Sequence, residues 1–187
     1  MPFQIHTVET APAAAREALG KLVESYGFLP NLAGVIAESP AALNGLLGFM
    51  RAYDAKEMTL SPLERQIVLL TVSVRNRCAY CAAAHGMMAN MNGLDRREVE
   101  NLQQGGHLRD ARLNALRRFA EAVLEKRGSA DAADLGSFFA AGFTQAQVLE
   151  VVSGIALKTL TNYVNHIANP PVNPQFASFL PAWGKAA

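Results

Sequence analysis

The sequence has few cysteines and no surplus of charge of either sign. Two cysteines occur among 187 residues, which excludes a framework of several disulfides. The 17 basic and 16 acidic side chains nearly balance, and the basic ones form only short groups, so nucleic acid is not an expected partner. The sequence also lacks a glycine-rich phosphate loop, and we therefore expect no nucleotide cofactor.

Long apolar runs are missing as well. No stretch reaches the roughly 20 apolar residues needed to span a bilayer, and the first ten residues lack the basic and apolar regions of a secretory signal. We therefore expect a cytoplasmic protein that does not contact a membrane. Because 50% of the residues are apolar and 18% are charged, we also expect a substantial core and a homo-oligomer interface.

Apolar residues recur at helical spacing along the chain. Ser61, Pro62 and Glu64 form the signature of a capped helix start, which predicts a buried helix from Pro62 to about Arg75. No segment alternates as a strand would. Together these patterns predict a single all-α domain over residues 1–187, with a proline- and aromatic-rich, extended tail at 169–187 that packs on the body or on a neighbouring subunit. The other predicted helices cover 11–26, 32–38, 41–56, 78–91, 96–104, 111–126, 131–141 and 145–166.

The residues that carry chemistry are Cys78, Cys81 and His85. Their spacing of three and then four residues places them along one face of a helix. A helix N-terminus near Cys78 favours a thiolate over a thiol, and His85 can accept or share the proton. We therefore predict that Cys81 is the thiol of lower pKa. When one cysteine of the pair is oxidised, the other could then close a disulfide with it.

The two cysteines have two other interpretations. Both could be ordinary core residues, but the histidine one turn beyond them favours a redox site. Alternatively they could bind zinc, although a structural zinc site needs four ligands and this segment offers three. One of His6, His107 or His166 would have to complete that site. We expect no metal, and we expect His6 and His107 in turns or at the surface.

Several segments resemble the AhpD-like alkylhydroperoxidase and carboxymuconolactone decarboxylase-like family. The specific part is the core motif within 60–92, which reads LSPLERQ at 60–66 and NRCAYCAAAH at 76–85. The flanking segments 29–31, 39–40, 115–119, 142–144 and 162–166 are also similar, so the resemblance covers most of the chain. It implies an all-α AhpD-like helical bundle that assembles into trimers or hexamers.

The resemblance also implies roles for individual residues. By position, Cys81 would attack the hydroperoxide, Cys78 would resolve the oxidised thiol, and His85 would join a proton relay with a glutamate on the preceding helix. The sequence departs from the family at that glutamate, because its position is taken by Gln66. A glutamine cannot transfer a proton as a carboxylate does. Glu64 is the nearest acid, but its capping role is the favoured interpretation.

The sequence therefore predicts a thiol-dependent hydroperoxide reductase that is recycled by a partner dithiol, either a small protein or a lipoyl group. Turnover could be slow because Gln66 replaces the relay acid. One alternative is a carboxymuconolactone-type decarboxylase, which would not need the cysteine pair. Another is a non-enzymatic dithiol sensor or assembly subunit. His166, with Asn162 and Asn165 near it, could line a polar pocket or be a hydrogen-bonded core histidine.

Overall fold

The computed structural model describes residues 3–184, and the regular structure in this range is entirely helical. The all-α prediction is thus confirmed, and the predicted helices are found with their ends shifted by a few residues. Two short 3-10 helices follow the last α-helix. The helices are α1 (Ala13–Tyr26), α2 (Asn31–Ile36), α3 (Pro40–Tyr53), α4 (Pro62–Arg75), α5 (Ala79–Met91), α6 (Arg96–Gln103), α7 (Ala111–Glu125), α8 (Ala132–Ala140) and α9 (Gln145–Ala168).

Helix α4 is the central element, and it packs against α5, α7 and α9. It begins as its capping residues predict: the Ser61 hydroxyl accepts a hydrogen bond from the Glu64 backbone, and the Glu64 carboxylate accepts one from the Ser61 backbone. Ile67, Val68 and Leu70 are fully buried. An apolar circumference of this kind is stable only with neighbours on every side, so the helices assemble around α4.

The core has three parts. The largest lies between α4 and helices α6 to α9, where the stacked rings of Phe119, Phe138 and Phe143 lie 4.2 and 4.3 Å apart. A second packs α1, α2 and α3 against α4 and α9, around Leu19 and Leu43. The third and smallest surrounds the two cysteines. The reactive segment is therefore part of the packed interior.

The tail after α9 folds back over α5 and α6. It is not extended throughout, since its 3-10 helices cover Pro174–Phe179 and Ala182–Gly184. The Trp183 indole donates a hydrogen bond to the Gln103 carbonyl at 2.8 Å, and the Arg77 guanidinium stacks 4.6 Å from the Trp183 ring. The tail thus packs on its own chain, while the last three residues of the predicted 169–187 segment lie outside the described range.

Between residues 3 and 184, no individual helix combines the length and the apolar character required to cross a bilayer. Helices α8 and α9 meet that requirement only when taken as a pair, which is bent by 113° at its junction.

Candidate dithiol active site

The two cysteines are positioned by the tight turn between α4 and α5. Arg77 adopts the left-handed conformation (φ 57°), and the Arg77 and Cys78 amides donate hydrogen bonds to the carbonyls of Val74 and Ser73. This is the Schellman pattern that ends a helix, here with arginine in the place that glycine usually takes. Cys78 then serves as the N-cap residue of α5. The first cysteine is therefore held by the end of one helix and the start of the next.

Both thiols are free, and their side chains are almost completely buried. Burial opposes ionisation of Cys81, but a hydrogen bond from the Cys78 thiol and the nearby Lys158 ammonium outweigh it and lower the pKa of Cys81. The same hydrogen bond, together with burial, raises the pKa of Cys78, the donor. Asn165 stabilises the pair from the other side, because its amide nitrogen lies 3.1 Å from the Cys81 sulfur and 3.6 Å from the Cys78 sulfur.

A polar chain of three side chains lies beside the sulfurs. The Gln66 amide oxygen is 2.9 Å from Nδ1 of His85, and the Lys158 ammonium is 2.8 Å from Nε2 of the same ring. Since an ammonium group can only donate, Nε2 accepts and Nδ1 carries the proton that is donated to Gln66. The imidazole is therefore neutral, and burial with the nearby Lys158 charge holds the pKa of His85 well below its ordinary value.

An apolar shell encloses the sulfurs. Phe176 from the tail makes edge-to-face contacts with Tyr80 and Phe28, with ring centroids 5.8 and 5.5 Å apart. The Tyr80 hydroxyl donates a hydrogen bond to the Asn173 side chain at 2.6 Å, which ties the tail to α5. A thiolate enclosed in this way is poorly solvated, so the interactions with Lys158 and the amides are strong.

The region that contains this site is shared with a known family. Residues 38–122 match the carboxymuconolactone decarboxylase family model. This segment, 85 of the 187 residues, is similar to that family. The matched range includes α4 and α5, and with them Gln66, both cysteines and His85. It ends before α9, which supplies Lys158 and Asn165. No curated protein matches the chain by sequence.

Solved structures with AhpD-like folds are similar over nearly the whole chain. An alkylhydroperoxidase AhpD core structure, of an uncharacterized peroxidase-related protein from Ralstonia eutropha JMP134, has a TM-score of 0.84 at 20% identity and covers 96% of this chain and 95% of its own. A peroxidase-related protein from Silicibacter sp. TM1040 has a TM-score of 0.81 at 22% identity, over 94% and 93% of the two chains. A cysteine-to-alanine variant of the debrominase Bmp8, in complex with 2,3,4-tribromopyrrole, has a TM-score of 0.75 at 16% identity, over 96% and 94%. At these identities the similarity establishes the fold.

The two candidate relay residues on α4 lie in different surroundings. Gln66, at the position where the family pattern has glutamate, contacts His85 directly. Glu64 does not join this chain, because its carboxylate accepts hydrogen bonds from the Ser61 backbone and, at 2.9 Å, from the Arg112 guanidinium. The structure thus places Glu64 in a helix cap and an ion pair, away from the proton relay.

The remaining histidines lie apart from the cysteines. His166 is exposed near the end of α9, so it neither lines a pocket nor forms part of the core. His6, expected in a turn or at the surface, is buried, with ring nitrogens 2.7 Å from the Glu38 carboxylate and 3.1 Å from the Thr10 carbonyl. Within residues 3–184, no three His, Cys, Asp or Glu side chains come together as metal ligands.

The main residue that sequence analysis missed is Lys158, which is only 4% exposed. It lies on the buried face of α9 together with Asn162 and Asn165, four and seven residues further along. A lysine within an otherwise apolar and amide-bearing helical face is unusual, because a buried charge needs a partner. That pattern in the sequence could have indicated that Lys158 is buried and functional, but it does not reveal that its partner, His85, lies on α5.

Proposed function

We propose that this protein is a thiol-dependent oxidoreductase that reduces hydroperoxides with the Cys78 and Cys81 pair. The observation that carries the proposal is the asymmetry of the two buried thiols: Cys81 lies beside the Lys158 ammonium and receives a hydrogen bond from Cys78. A thiolate is the nucleophilic form of cysteine, and an adjacent protonated thiol can resolve its oxidised product. The AhpD-like fold and the family match over residues 38–122 support peroxidase-related chemistry in general terms.

The proposed reaction has two steps at the cysteines. The Cys81 thiolate attacks the distal oxygen of ROOH; the S–O bond forms as the O–O bond breaks, and the departing alkoxide takes a proton to give ROH. Cys81 is then a sulfenic acid. The Cys78 thiol attacks this sulfur, water leaves, and a disulfide joins the two residues. An external dithiol, a small protein or a lipoyl group, would reduce the disulfide and become oxidised itself.

Lys158 would be the acid closest to the reacting atoms. Its ammonium stabilises the thiolate before the attack and can supply the proton that the alkoxide requires. Neutral His85, held in one tautomer by Gln66, accepts a hydrogen bond from Lys158 and fixes the position of the ammonium. In this arrangement a cation takes the part that a glutamate plays in the family pattern.

The direct test is single turnover with hydrogen peroxide. One equivalent should remove two free thiols and leave a Cys78–Cys81 disulfide, and Cys81→Ser should abolish the reaction. Cys78→Ser should stop at a sulfenic acid, which a dimedone probe would trap on Cys81. If the wild-type protein reacts no faster than a free cysteine, the peroxidase proposal is wrong. Thiol loss without turnover in the presence of a dithiol donor would favour the sensor alternative instead.

A second candidate function is reductive dehalogenation. It is supported by the aromatic side chains around the sulfurs and by the similarity in fold to the debrominase Bmp8 structures. Here the Cys81 thiolate would take the halogen from an aromatic carbon, which gains a proton, and Cys78 would then displace halide as the disulfide forms. Overall, one C–Br bond and two thiols become C–H, a disulfide and HBr. Bromide release from a bromopyrrole, with loss of two thiols, would favour this function. Turnover of a carboxymuconolactone that survives replacement of both cysteines would favour the decarboxylase alternative.

We also propose that the chain forms a homo-oligomer through α9. The exposed apolar side chains of α9 follow helical spacing along the face opposite the active site, and together they form an uncharged stripe. Since this uncharged face runs most of the length of the helix, it can pair with the same face of a second copy without burying an unpaired charge. The residues are Leu149, Val152, Ala156, Leu160, Tyr163 and Ile167.

A further inference from the structure

Two asparagines beside the sulfurs each have one half of the side-chain amide unpaired. Asn162 is fully buried, and its oxygen accepts a hydrogen bond from Asn76 at 3.0 Å, but no nitrogen or oxygen of residues 3–184 accepts from its own nitrogen. Asn165 is 5% exposed, and its nitrogen contacts both sulfurs, but its oxygen has no partner. The structure thus presents one free donor and one free acceptor.

The free groups belong to the same site. Asn162 and Asn165 are three residues apart on α9, so their side chains lie on the same face of the helix. The free oxygen of Asn165 belongs to the same planar amide as the nitrogen that contacts the Cys81 sulfur. The Asn162 nitrogen carries two N–H groups; one approaches Cys81 and lowers the pKa of its thiol, and the other has no partner in the described range. Both free groups therefore adjoin the nucleophile.

Their chemistry matches a hydroperoxide. The group –O–O–H has one O–H donor on its terminal oxygen and acceptor lone pairs on both oxygens. An acceptor on the protein can bind the O–H, and a donor can bind the oxygen that leaves. A dialkyl peroxide has no O–H, and a carbon–halogen bond has neither group, so each would leave the buried Asn165 oxygen unpaired.

We propose that Asn165 and Asn162 bind the hydroperoxide: the Asn165 oxygen accepts from the terminal O–H and holds that oxygen against Cys81, while the Asn162 N–H donates to the oxygen that leaves. This inference rests on the proposed function and narrows its substrates to molecules with a terminal –O–O–H. Asn162 then stabilises the charge that develops on the alkoxide. It corresponds to one donor of an oxyanion hole.

A purely structural role explains the two asparagines less well. Buried amides that only support a fold have partners for both the nitrogen and the oxygen. Here the paired halves hold the amides in position, by Asn76 for one and by the sulfurs for the other. The unpaired halves are buried without a partner, which is costly for a polar group. A bound substrate would satisfy both.

The test uses two variants, Asn162→Ala and Asn162→Leu, of which the leucine variant roughly keeps the side-chain volume. In each variant, two reactions of Cys81 are compared with the wild type. One is the second-order reaction with hydrogen peroxide; the other is alkylation by iodoacetamide, which has no O–O–H group. Both rates are measured at a pH where the thiolate is fully formed in each variant. Loss of one donor to a developing oxyanion should slow the peroxide reaction about 10²-fold and leave alkylation unchanged. Thr161→Val is the matched control, since the Thr161 hydroxyl bonds only to carbonyls of its own helix, and it should change neither rate.

Other outcomes overturn the inference in distinguishable ways. If the Asn162 variants slow the peroxide reaction and the alkylation equally, Asn162 acts only on the thiolate. If they slow neither reaction, the unpaired amide groups do not bind the hydroperoxide. A measurement on the wild-type protein needs no variant: tert-butyl hydroperoxide should react, and di-tert-butyl peroxide should not. Equal reaction with the two peroxides would refute the binding mode. Failure of the proposed function is a separate result, namely a wild-type rate with hydrogen peroxide that equals that of free cysteine.

Discussion

Replacing Lys158 with methionine tests the electrostatic basis of the site. The substitution keeps most of the side-chain volume but removes the ammonium that lies 2.8 Å from His85 and stabilises the Cys81 thiolate. Burial, which opposes ionisation, then has less to counter it, so we expect the pKa of Cys81 to rise to the ordinary thiol value of about 8.5 or above. At pH 7 such a thiol is about 3% ionised, whereas the wild-type thiol is largely ionised.

The expected consequence is a fall of up to about 30-fold in the rate of Cys81 alkylation at pH 7, since only the thiolate reacts. The assay is the iodoacetamide rate as a function of pH, with Cys78 replaced by alanine in both backgrounds so that a single thiol is followed. Cys78→Ala also removes one hydrogen bond to Cys81, so the comparison is between the two variants that share it. Lys158→Arg should retain most of the reactivity at pH 7, and Lys21→Met, at an exposed lysine, should have no effect. An unchanged pH profile in Lys158→Met would refute the assignment of Lys158 as the counterion of the thiolate.

Four further predictions concern Gln66, Glu64, His85 and Leu160. Gln66→Glu should raise the peroxide rate and shift its pH profile, because a carboxylate in place of the amide that lies 2.9 Å from His85 restores an acid–base group, worth roughly 10²- to 10⁴-fold. Glu64→Gln should leave that rate unchanged and lower the unfolding free energy by about 1 kcal/mol through the helix cap; loss of turnover in this variant would contradict the placement of Glu64. Because the pKa of His85 is depressed in the folded state, its stabilising contribution is complete above about pH 6.5 and is lost as the pH falls, so chemical denaturation should show less loss of stability between pH 7 and 5 in His85→Phe than in the wild type. Leu160→Asp on the exposed face of α9 should dissociate the proposed oligomer, and sedimentation of the wild type as a 20.1 kDa monomer at micromolar concentration would refute that interface.

The accuracy of the sequence-based predictions followed the range of the interactions involved. The start of α4 was predicted at the correct residue, because Ser61, Pro62 and Glu64 act within one turn of each other. The contact between Gln66 and His85 could be inferred only from the family pattern, which pairs consecutive helices at this position. His166, near Asn162 and Asn165 in sequence, was predicted to line a polar pocket or to be a core histidine, but its position on the helix turns it to the exposed side.

What the sequence by itself determined is local: the helix boundaries, the spacing of Cys78 and Cys81 at the start of α5, and the absence of a carboxylate at position 66. Capping, turn geometry and helical periodicity depend on neighbours within a few residues, which can be read in order along the chain. The sequence also predicted Cys81 as the thiol of lower pKa, but only the tertiary structure identified the cation that favours its thiolate, because Lys158 lies 77 residues after Cys81. The charge state of a buried group depends on every side chain within a few ångströms, and those neighbours are set by the packing of α9 against α4 and α5.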